Sequence, residues 1–169
     1  MRLGLSLVKG LSGTGAARIV SARAEAPYSD VGDLARRSAL NRRDLANLAA
    51  AGALQSLAGH RRNAHWLVAG TQTQSAAEPL LRDAPIQETL PLLGTPGEGE
   101  EIVADYRSLG LTLGRHPLAL LRARLTRMRL ASAKELKAMA DGKSARTAGI
   151  VTCRQRPGTA QGVVFVTIE

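Results

Sequence analysis

The shortage of aromatic side chains constrains the fold of this chain more than any other feature of its sequence. Aromatic residues make up 2% of the 169 positions, and they are Tyr28, Trp66, Tyr106 and Phe165. Hydrophobic residues still supply 44% of the chain, so its core has to be filled by Leu, Ala, Val and Ile. Because Ala and Leu are strong helix formers, the composition predicts a mainly α-helical protein with one medium domain or two small ones.

The first 71 residues carry the signals of several short helices joined by glycine turns. An extended lead-in over residues 3–13 ends in a glycine-rich turn, and apolar residues then recur at helical spacing from Ala16 to Ala24. The other predicted helices run from the N-cap Ser29 to Arg37, from Arg42 to Ala51 between the N-cap Asn41 and the terminal glycine Gly52, and from about His60 to Thr71. This part of the chain therefore holds two helix–turn–helix units in tandem.

The remaining chain changes character three times. Residues 72–97 contain four prolines and no sustained period, which predicts a linker. Residues 98–142 return to a helical pattern, with Pro117 in a first turn and a capping box that begins at Ser132. Residues 143–169 hold two runs rich in β-branched residues on either side of a Pro-Gly turn, which predicts a pair of strands.

Charge is distributed in blocks along the chain. Residues 1–70 hold ten Lys and Arg against four Asp and Glu, residues 71–112 hold two against seven, and residues 113–169 hold eleven against three. The net charge of +9 therefore comes from two basic blocks that flank an acidic one. This pattern predicts a polyanionic partner such as nucleic acid. The alternative is an origin in a genome rich in Arg and Ala, where basic surfaces are ordinary.

Several classes of protein are disfavoured by what the sequence lacks. Cys153 is the single cysteine, so we expect neither a disulfide framework nor a cysteine-based zinc site. No apolar run approaches the ~18 residues of a membrane span, and the apolar start of the chain is too short and too interrupted for a signal peptide. His60, His65 and His116 have no partner ligands at a spacing useful to a metal. We therefore expect a cytoplasmic protein without a metal, a cofactor or a membrane association.

A glycine turn that leads directly into a helix is the first motif with chemical content. The residues of this turn are Lys9, Gly10, Leu11, Ser12 and Gly13. Free backbone N–H groups and the positive end of the helix dipole meet at such a turn, and together they bind phosphate without reading bases. A plain connecting loop is the alternative interpretation. A second helix followed by a glycine turn, between Leu48 and Leu57, favours the functional interpretation.

Residues 3–67 resemble the tandem helix-hairpin-helix region of the bacterial DNA polymerase III alpha-subunit family. The stretches that carry the resemblance are Leu3 to Leu11, Tyr28 to Arg37, Leu40 to Leu54, Gly59 to Arg62, and Trp66. The hairpins of that family usually have a glycine, an apolar residue and a second glycine, whereas this chain has Gly10, Leu11 and Ser12. Because the Cβ of Ser12 limits the approach of a phosphate to the backbone, we expect weaker phosphate binding at this hairpin.

Two later stretches resemble the same family. Asp105 to Leu118 is similar to the segment that bridges its hairpin region and a following β domain. Ala148 to Glu169 is similar to the opening of its oligonucleotide-binding (OB-fold) barrel, and Arg156 to Ala160 is similar to the error-prone branch of the family. The runs Thr147 to Cys153 and Val163 to Ile168 supply about two strands, whereas such a barrel has five.

The resemblance thus implies a mainly α fold that ends in a small β segment. Its parts are a tandem helix-hairpin-helix DNA-binding domain over 1–71, a linker over 72–97, a helical connector over 98–142, and the first strands of a truncated OB-fold barrel over 143–169.

The resemblance also implies a function, namely non-sequence-specific DNA binding within an error-prone polymerase of DNA damage tolerance. Polymerase chemistry needs a tight group of carboxylates around two metal ions. The sequence has no Asp-x-Asp pattern, so no catalytic residue is carried over and the chain is not expected to be an enzyme on its own. The expected DNA contacts are Lys9, Gly10, Leu11, Ser12, Gly13, Arg42, Arg43, Gly52, Arg61 and Arg62.

The linker carries an independent motif. Gln87, Leu90 and Leu92 have the Gln-x-x-Leu-x-Leu spacing of the short peptides by which bacterial polymerases dock on the sliding clamp. Pro91 also fits a role limited to keeping the linker extended. The rival to DNA binding is therefore a protein–protein scaffold whose partners are the clamp or other proteins of a mutasome. A subunit of a hairpin-containing repair nuclease is a third alternative, against which the missing carboxylate cluster argues.

Overall fold

The computed structural model describes residues 3–71, 91–159 and 161–169 of the chain. Contacts separate it into two compact units, Met1–Leu113 and Gly114–Glu169. The first unit contains a 3-10 helix (Leu5–Leu7), α1 (Gly13–Glu25), α2 (Val31–Arg37), α3 (Arg42–Ala50), α4 (Gln55–Ala58), α5 (Arg61–Gly70) and α6 (Glu98–Ser108). The second unit contains α7 (Pro117–Arg127), α8 (Ala133–Ala138), β1 (Val151–Gln155) and β2 (Phe165–Ile168). The described residues are thus mainly helical with one small antiparallel sheet, which confirms the predicted class.

Side-chain caps and a glycine set the helix ends of the first unit. At the start of α3, the Asn41 side-chain oxygen accepts the backbone N–H three residues on, at 2.8 Å. Gly52 follows α3 with a φ of +66°, a conformation that favours glycine. Both predictions are confirmed. The cap predicted at Ser29 is wrong by one residue, because the Asp30 carboxylate accepts the Asp33 N–H at 2.7 Å and α2 begins after it.

Asp33, in the first turn of α2, is the centre of a charged cluster. Burial by itself raises the pKa of its carboxyl group. The hydrogen bond from the Ser29 N–H and the guanidiniums of Arg37 and Arg36 outweigh burial, so the pKa of Asp33 lies below its ordinary value. Arg37 also donates to the Ala26 carbonyl oxygen at the end of α1, at 2.9 Å. The cluster therefore joins α1 to α2.

An aliphatic core lies among α2, α3 and α5. Leu45 and Ala49 of α3 are fully buried, and Val31 of α2 packs in the same cluster. Trp66 of α5 stays 47% exposed, so the largest aromatic ring is not a core residue. α6 packs on α3 and buries Ile102. The core is built from the aliphatic residues that the composition predicts.

The second unit opens with two capped helices. The His116 ring nitrogen Nδ1 accepts the Leu118 N–H at 3.2 Å, and Pro117 occupies the first turn of α7 as predicted. The predicted capping box starts α8, where the Ser132 N–H donates to the Glu135 carboxylate at 2.6 Å. The backbone and hydroxyl hydrogen bonds from Ser132 hold the pKa of Glu135 below its ordinary value.

The two strands of the second unit pair antiparallel. Val151 lies opposite Ile168 and Gln155 lies opposite Phe165, with an irregularity after Val151. All residues of β2 are exposed. The strand pair predicted from the β-branched runs is therefore present, although both strands begin later than predicted. Among the described residues, no helix combines the length and the apolar composition that crossing a bilayer requires.

Candidate nucleic-acid interface

The first hairpin turns the chain at Gly10. Its φ of +77° lies in the left-handed region, and a Cβ at this position would come within 2.9 Å of the Asn47 side-chain nitrogen on α3. The positive φ therefore favours glycine here, and a larger residue would also have to displace the Asn47 amide. The neighbouring Leu11 packs against the aliphatic core and anchors the turn.

The N-terminus of α1 offers backbone donors. Ser12 is the N-cap, and its hydroxyl oxygen accepts the Gly15 N–H at 3.0 Å. Gly13 and Thr14 are the first two residues of α1 and are exposed. The N–H groups at these positions have no acceptor within a helix. Two donors at the positive end of the helix dipole are therefore available to an anion.

A buried carboxylate, which the sequence analysis did not single out, lies against this turn. Asp44 of α3 is 1% exposed, and it accepts the Ser12 N–H at 3.0 Å and the Ser12 hydroxyl at 2.6 Å. A Cβ on Gly15 would lie 2.7 Å from an Asp44 carboxylate oxygen, so the start of α1 sits close against α3. Because its N–H is engaged inside the protein, Ser12 positions the turn and does not itself offer a backbone donor. An acidic residue three positions after an N-cap is common at helix starts, so nothing in the sequence distinguishes Asp44 as the residue with this role.

Arg42 and Arg43 are the cations nearest to this helix start along α3. They occupy its first turn, immediately before Asp44, and both are exposed. Neither forms an ion pair within the part of the chain that the structure describes. The bridge from Asp44 to Ser12 therefore brings the helix start that carries these two exposed arginines next to the start of α1.

Arg61, by contrast, is buried between α5 and α6. Its guanidinium contacts the Glu101 carboxylate at 2.7 Å and the Asp105 carboxylate at 2.6 Å, and its side chain is 8% exposed. Arg61 is among the cations that the family resemblance predicts as DNA contacts. The structure places it in a link between helices that leaves little surface for a phosphate.

Arg62 and Lys9 are also engaged by the α6 region, but near the surface. Arg62 contacts the Glu100 carboxylate at 2.7 Å and donates to the Gly94 carbonyl oxygen at 2.9 Å. The Lys9 ammonium donates to the Tyr106 carbonyl oxygen at 3.2 Å, in the last turns of α6. The expected contact residues therefore separate into a group at the start of α1 and α3, and a group that α6 covers.

The second hairpin turns at Gly52, next to Arg61. A Cβ on Gly52 would lie 2.9 Å from the Arg61 guanidinium, so this glycine allows Arg61 to pass beneath the turn. Of the expected clamp-docking residues, Gln87 and Leu90 lie outside the described residues. Leu92 is fully exposed.

A groove of about 830 Å³ lies along α6, facing α3 and α5. Basic side chains predominate among the polar residues that line it, and they are Lys9, Arg61, Arg62, His65 and Arg107. Two carboxylates, Glu100 and Glu101, line the same groove. The described residues hold no group of three or more His, Cys, Asp or Glu side chains that could bind a metal ion.

Comparison with known proteins gives two findings. Residues 1–64 match the family described as the helix-hairpin-helix motif. The whole chain is 54% identical to a segment of an error-prone DNA polymerase from Alkalilimnicola ehrlichii, 56% identical to one from Azoarcus sp. (strain BH72), and 54% identical to one from Ralstonia nicotianae. In each case the chain spans only 16% of the relative's length.

Proposed function

Because this chain is related along its whole length to one segment of the error-prone DNA polymerases, we propose that it is a non-catalytic, sequence-independent DNA-binding segment of such a polymerase. The observation that carries the proposal is the joint start of α1 and α3. Gly13 and Thr14 supply backbone donors there, Arg42 and Arg43 supply unpaired cations, and Asp44 holds the two helix starts together through Ser12.

The chemistry of this site favours the DNA backbone over the bases. Backbone N–H groups at a helix start bind phosphate oxygens, and guanidiniums bind them with two donors at once. Such contacts fix the position of a duplex but carry no sequence information. A binding mode of this kind fits a polymerase, which has to act on any sequence.

Salt dependence tests the proposal. Each neutralised phosphate contributes about −0.9 to the slope of log K against log salt concentration, so two to four contacts predict a slope of roughly −2 to −4. The double variant Arg42→Ala/Arg43→Ala should flatten the slope by about two units. Fluorescence anisotropy on two unrelated duplexes at several salt concentrations measures both quantities, and the two duplexes should give equal affinities.

Arg124→Ala/Arg127→Ala is the matched control, because it removes the same charge from exposed positions of α7 in the second unit. Loss of folding does not confound the test variant, since two cations at the positive end of the α3 dipole are unfavourable for the helix. Equal slopes for the wild type and the Arg42/Arg43 variant would remove both residues from the site. An absence of binding at low salt would favour the scaffold function instead.

No chemical step is assigned to this segment, because its sequence has no Asp-x-Asp pattern and polymerase chemistry needs clustered carboxylates. A primer-extension assay with Mg²⁺, nucleotides and protein free of host polymerase tests this assignment. Extension that rises in proportion to the amount of this chain would contradict it. The cytoplasm, where bacterial DNA lies, is the corresponding location.

The second unit is proposed as the opening of an OB-fold barrel. In support, β1 and β2 form an antiparallel pair with exposed apolar side chains, among them Val151 and Phe165. Incomplete barrels leave such side chains without neighbours. A longer chain that continues beyond Glu169 should protect the β2 amides from hydrogen exchange, and unchanged exchange would count against a barrel.

Clamp docking is a second candidate function, favoured by one observation. Leu92 is fully exposed, as an apolar anchor of a docking peptide has to be before it binds. The triple variant Gln87→Ala/Leu90→Ala/Leu92→Ala should abolish binding to an immobilised sliding clamp and leave duplex affinity unchanged. If wild type and variant bind the clamp equally, this candidate is excluded.

A further inference from the structure

Helix α6 carries the acidic residues that meet the cations of α5. Its sequence holds Glu98, Glu100, Glu101 and Asp105 against one cation, Arg107. Three of these carboxylates contact arginines in the structure: Glu101 and Asp105 contact Arg61, and Glu100 contacts Arg62. α6 thus presents to the α5 arginines the same kind of group, an anionic oxygen, that a DNA phosphate would present.

The two arginines differ in how firmly α6 holds them. Arg61 is 8% exposed and has two carboxylate partners, so exchange of its partners would need α6 to separate from α5. The pair of Arg62 and Glu100 is 45% and 62% exposed, respectively. Exposed ion pairs of this kind add little stability. Arg62 can therefore change partner while the Arg61 link keeps α6 in place.

Besides the buried Arg61, the groove beside this pair is lined by the cations Lys9, Arg62 and Arg107, and by the carboxylate of Glu101, which is paired with Arg61. The three cations would attract a phosphate that entered the groove. Glu100 lies in the same groove and would repel that anion.

We propose that Glu100 of α6 is an intramolecular competitor of DNA, which occupies Arg62 in the free protein and yields it when a backbone phosphate of a bound duplex enters the groove. The proposal rests on the DNA-binding function proposed above. It gives α6 a regulatory role: the acidic helix lowers the affinity of a basic surface for DNA without blocking it.

Glu100→Gln is the variant that separates charge from structure. The Glu100 carboxylate also accepts the Gly97 N–H at 2.9 Å at the start of α6. A glutamine amide oxygen can still accept this N–H, so the variant keeps the cap and removes the negative charge. Glu25→Gln is the matched control, because Glu25 is exposed at the end of α1 and forms no ion pair within the described residues.

A double-mutant cycle on the full chain tests the proposal, with duplex affinity measured by anisotropy at low salt. Glu100→Gln should raise affinity about threefold to tenfold over the wild type, and Glu25→Gln by less than twofold, because only the first frees a cation in the groove. In an Arg62→Ala background, the gain from Glu100→Gln should fall to that of the control.

The outcomes separate this proposal from the proposed function. If the wild type binds duplex and Glu100→Gln gains no more than Glu25→Gln, the competition is refuted and DNA binding stands. If the gain persists without Arg62, Glu100 acts through general charge repulsion and the exchange of Arg62 is refuted. If no variant binds duplex, both proposals fail. Binding by Glu100→Gln alone would support the strongest form of the competition.

Discussion

Removal of the Asp44 carboxylate should destabilise the first unit more than any other single change at the candidate interface. Asp44 is 1% exposed and accepts two hydrogen bonds from Ser12, at 3.0 Å and 2.6 Å. Hydrogen bonds to a charged group contribute about 1.5–3 kcal/mol each. Ser12 is only partly buried, so water can replace part of the loss. We therefore expect Asp44→Ala to lower the free energy of unfolding by about 3 kcal/mol.

Asp44→Asn should have a smaller effect, and the comparison identifies the interaction. The Asn oxygen can accept the Ser12 N–H, while its amide nitrogen would donate to the Ser12 hydroxyl oxygen, whose proton then has to turn away. One hydrogen bond is kept and one is exchanged, so the expected loss is about 1–2 kcal/mol. Asp141→Ala, at an exposed turn of the second unit, is the control and should stay within about 0.5 kcal/mol of the wild type.

The assay has to report on the first unit alone, because a chain of two units need not unfold in one step. Amide hydrogen exchange at Ile19, a buried residue of α1, gives the local opening free energy in each variant. Far-UV circular dichroism in urea gives the global value. If the Ile19 amide hydrogen exchanges as slowly in the Asp44→Ala variant as in the wild type, the bridge between Asp44 and Ser12 does not hold α1 to α3. If the Ala and Asn variants lose the same free energy of unfolding, the geometry at Ser12, and not the number of hydrogen bonds, determines the stability of this link.

Three further predictions concern other parts of the structure. Gly52→Ala should lower the free energy of unfolding by about 2 kcal/mol, because alanine would have to adopt a left-handed backbone conformation and its Cβ would displace the Arg61 guanidinium. The control is Gly59→Ala, which also has a positive φ but has nothing within 4 Å of the new Cβ, and it should cost about 1 kcal/mol. Equal shifts of the melting temperature in the two variants would contradict this. Asp33→Asn should destabilise the protein near pH 7, and this loss should shrink as the pH falls below about 4, the ordinary pKa of Asp. The reason is that a carboxyl group whose pKa is lowered by folding stabilises the protein only while it is ionised. Urea midpoints of wild type and variant between pH 3 and 7 measure the difference, and a difference that does not change with pH would refute the prediction. The chain should self-associate through its exposed strand, and Phe165→Lys should shift sedimentation toward the monomer; an unchanged distribution would point to another contact.

Local structure in this chain could be predicted from the sequence because its signals are local. The Asn41 cap, the Gly52 turn and the Ser132 capping box each depend on residues at most a few positions apart. The error at Ser29 has the same local character, since two adjacent side chains compete for one cap and the Asp30 carboxylate is the one that accepts the N–H. The aliphatic composition likewise predicted a helical protein, and the buried cluster at its core consists of Leu, Ile, Val and Ala side chains.

The helix-hairpin-helix region could also be recognised from the sequence, because its glycine turns and the helices beside them are formed by continuous stretches of the chain. This resemblance directed attention to the hairpins and to their neighbouring cations. It did not distinguish cations that are free from cations that are paired, and Arg42 and Arg61 looked equally suitable for DNA.

Tertiary structure alone decided which of these charges remain available. Ser12 and Asp44 are 32 residues apart, and Arg61 and Asp105 are 44 residues apart, so no local pattern pairs them. A guanidinium in water needs no protein partner, whereas a buried one is tolerated only where carboxylates meet it. Burial depends on how α3, α5 and α6 pack, and that packing separates the unpaired arginines at the start of α3 from those that α6 neutralises.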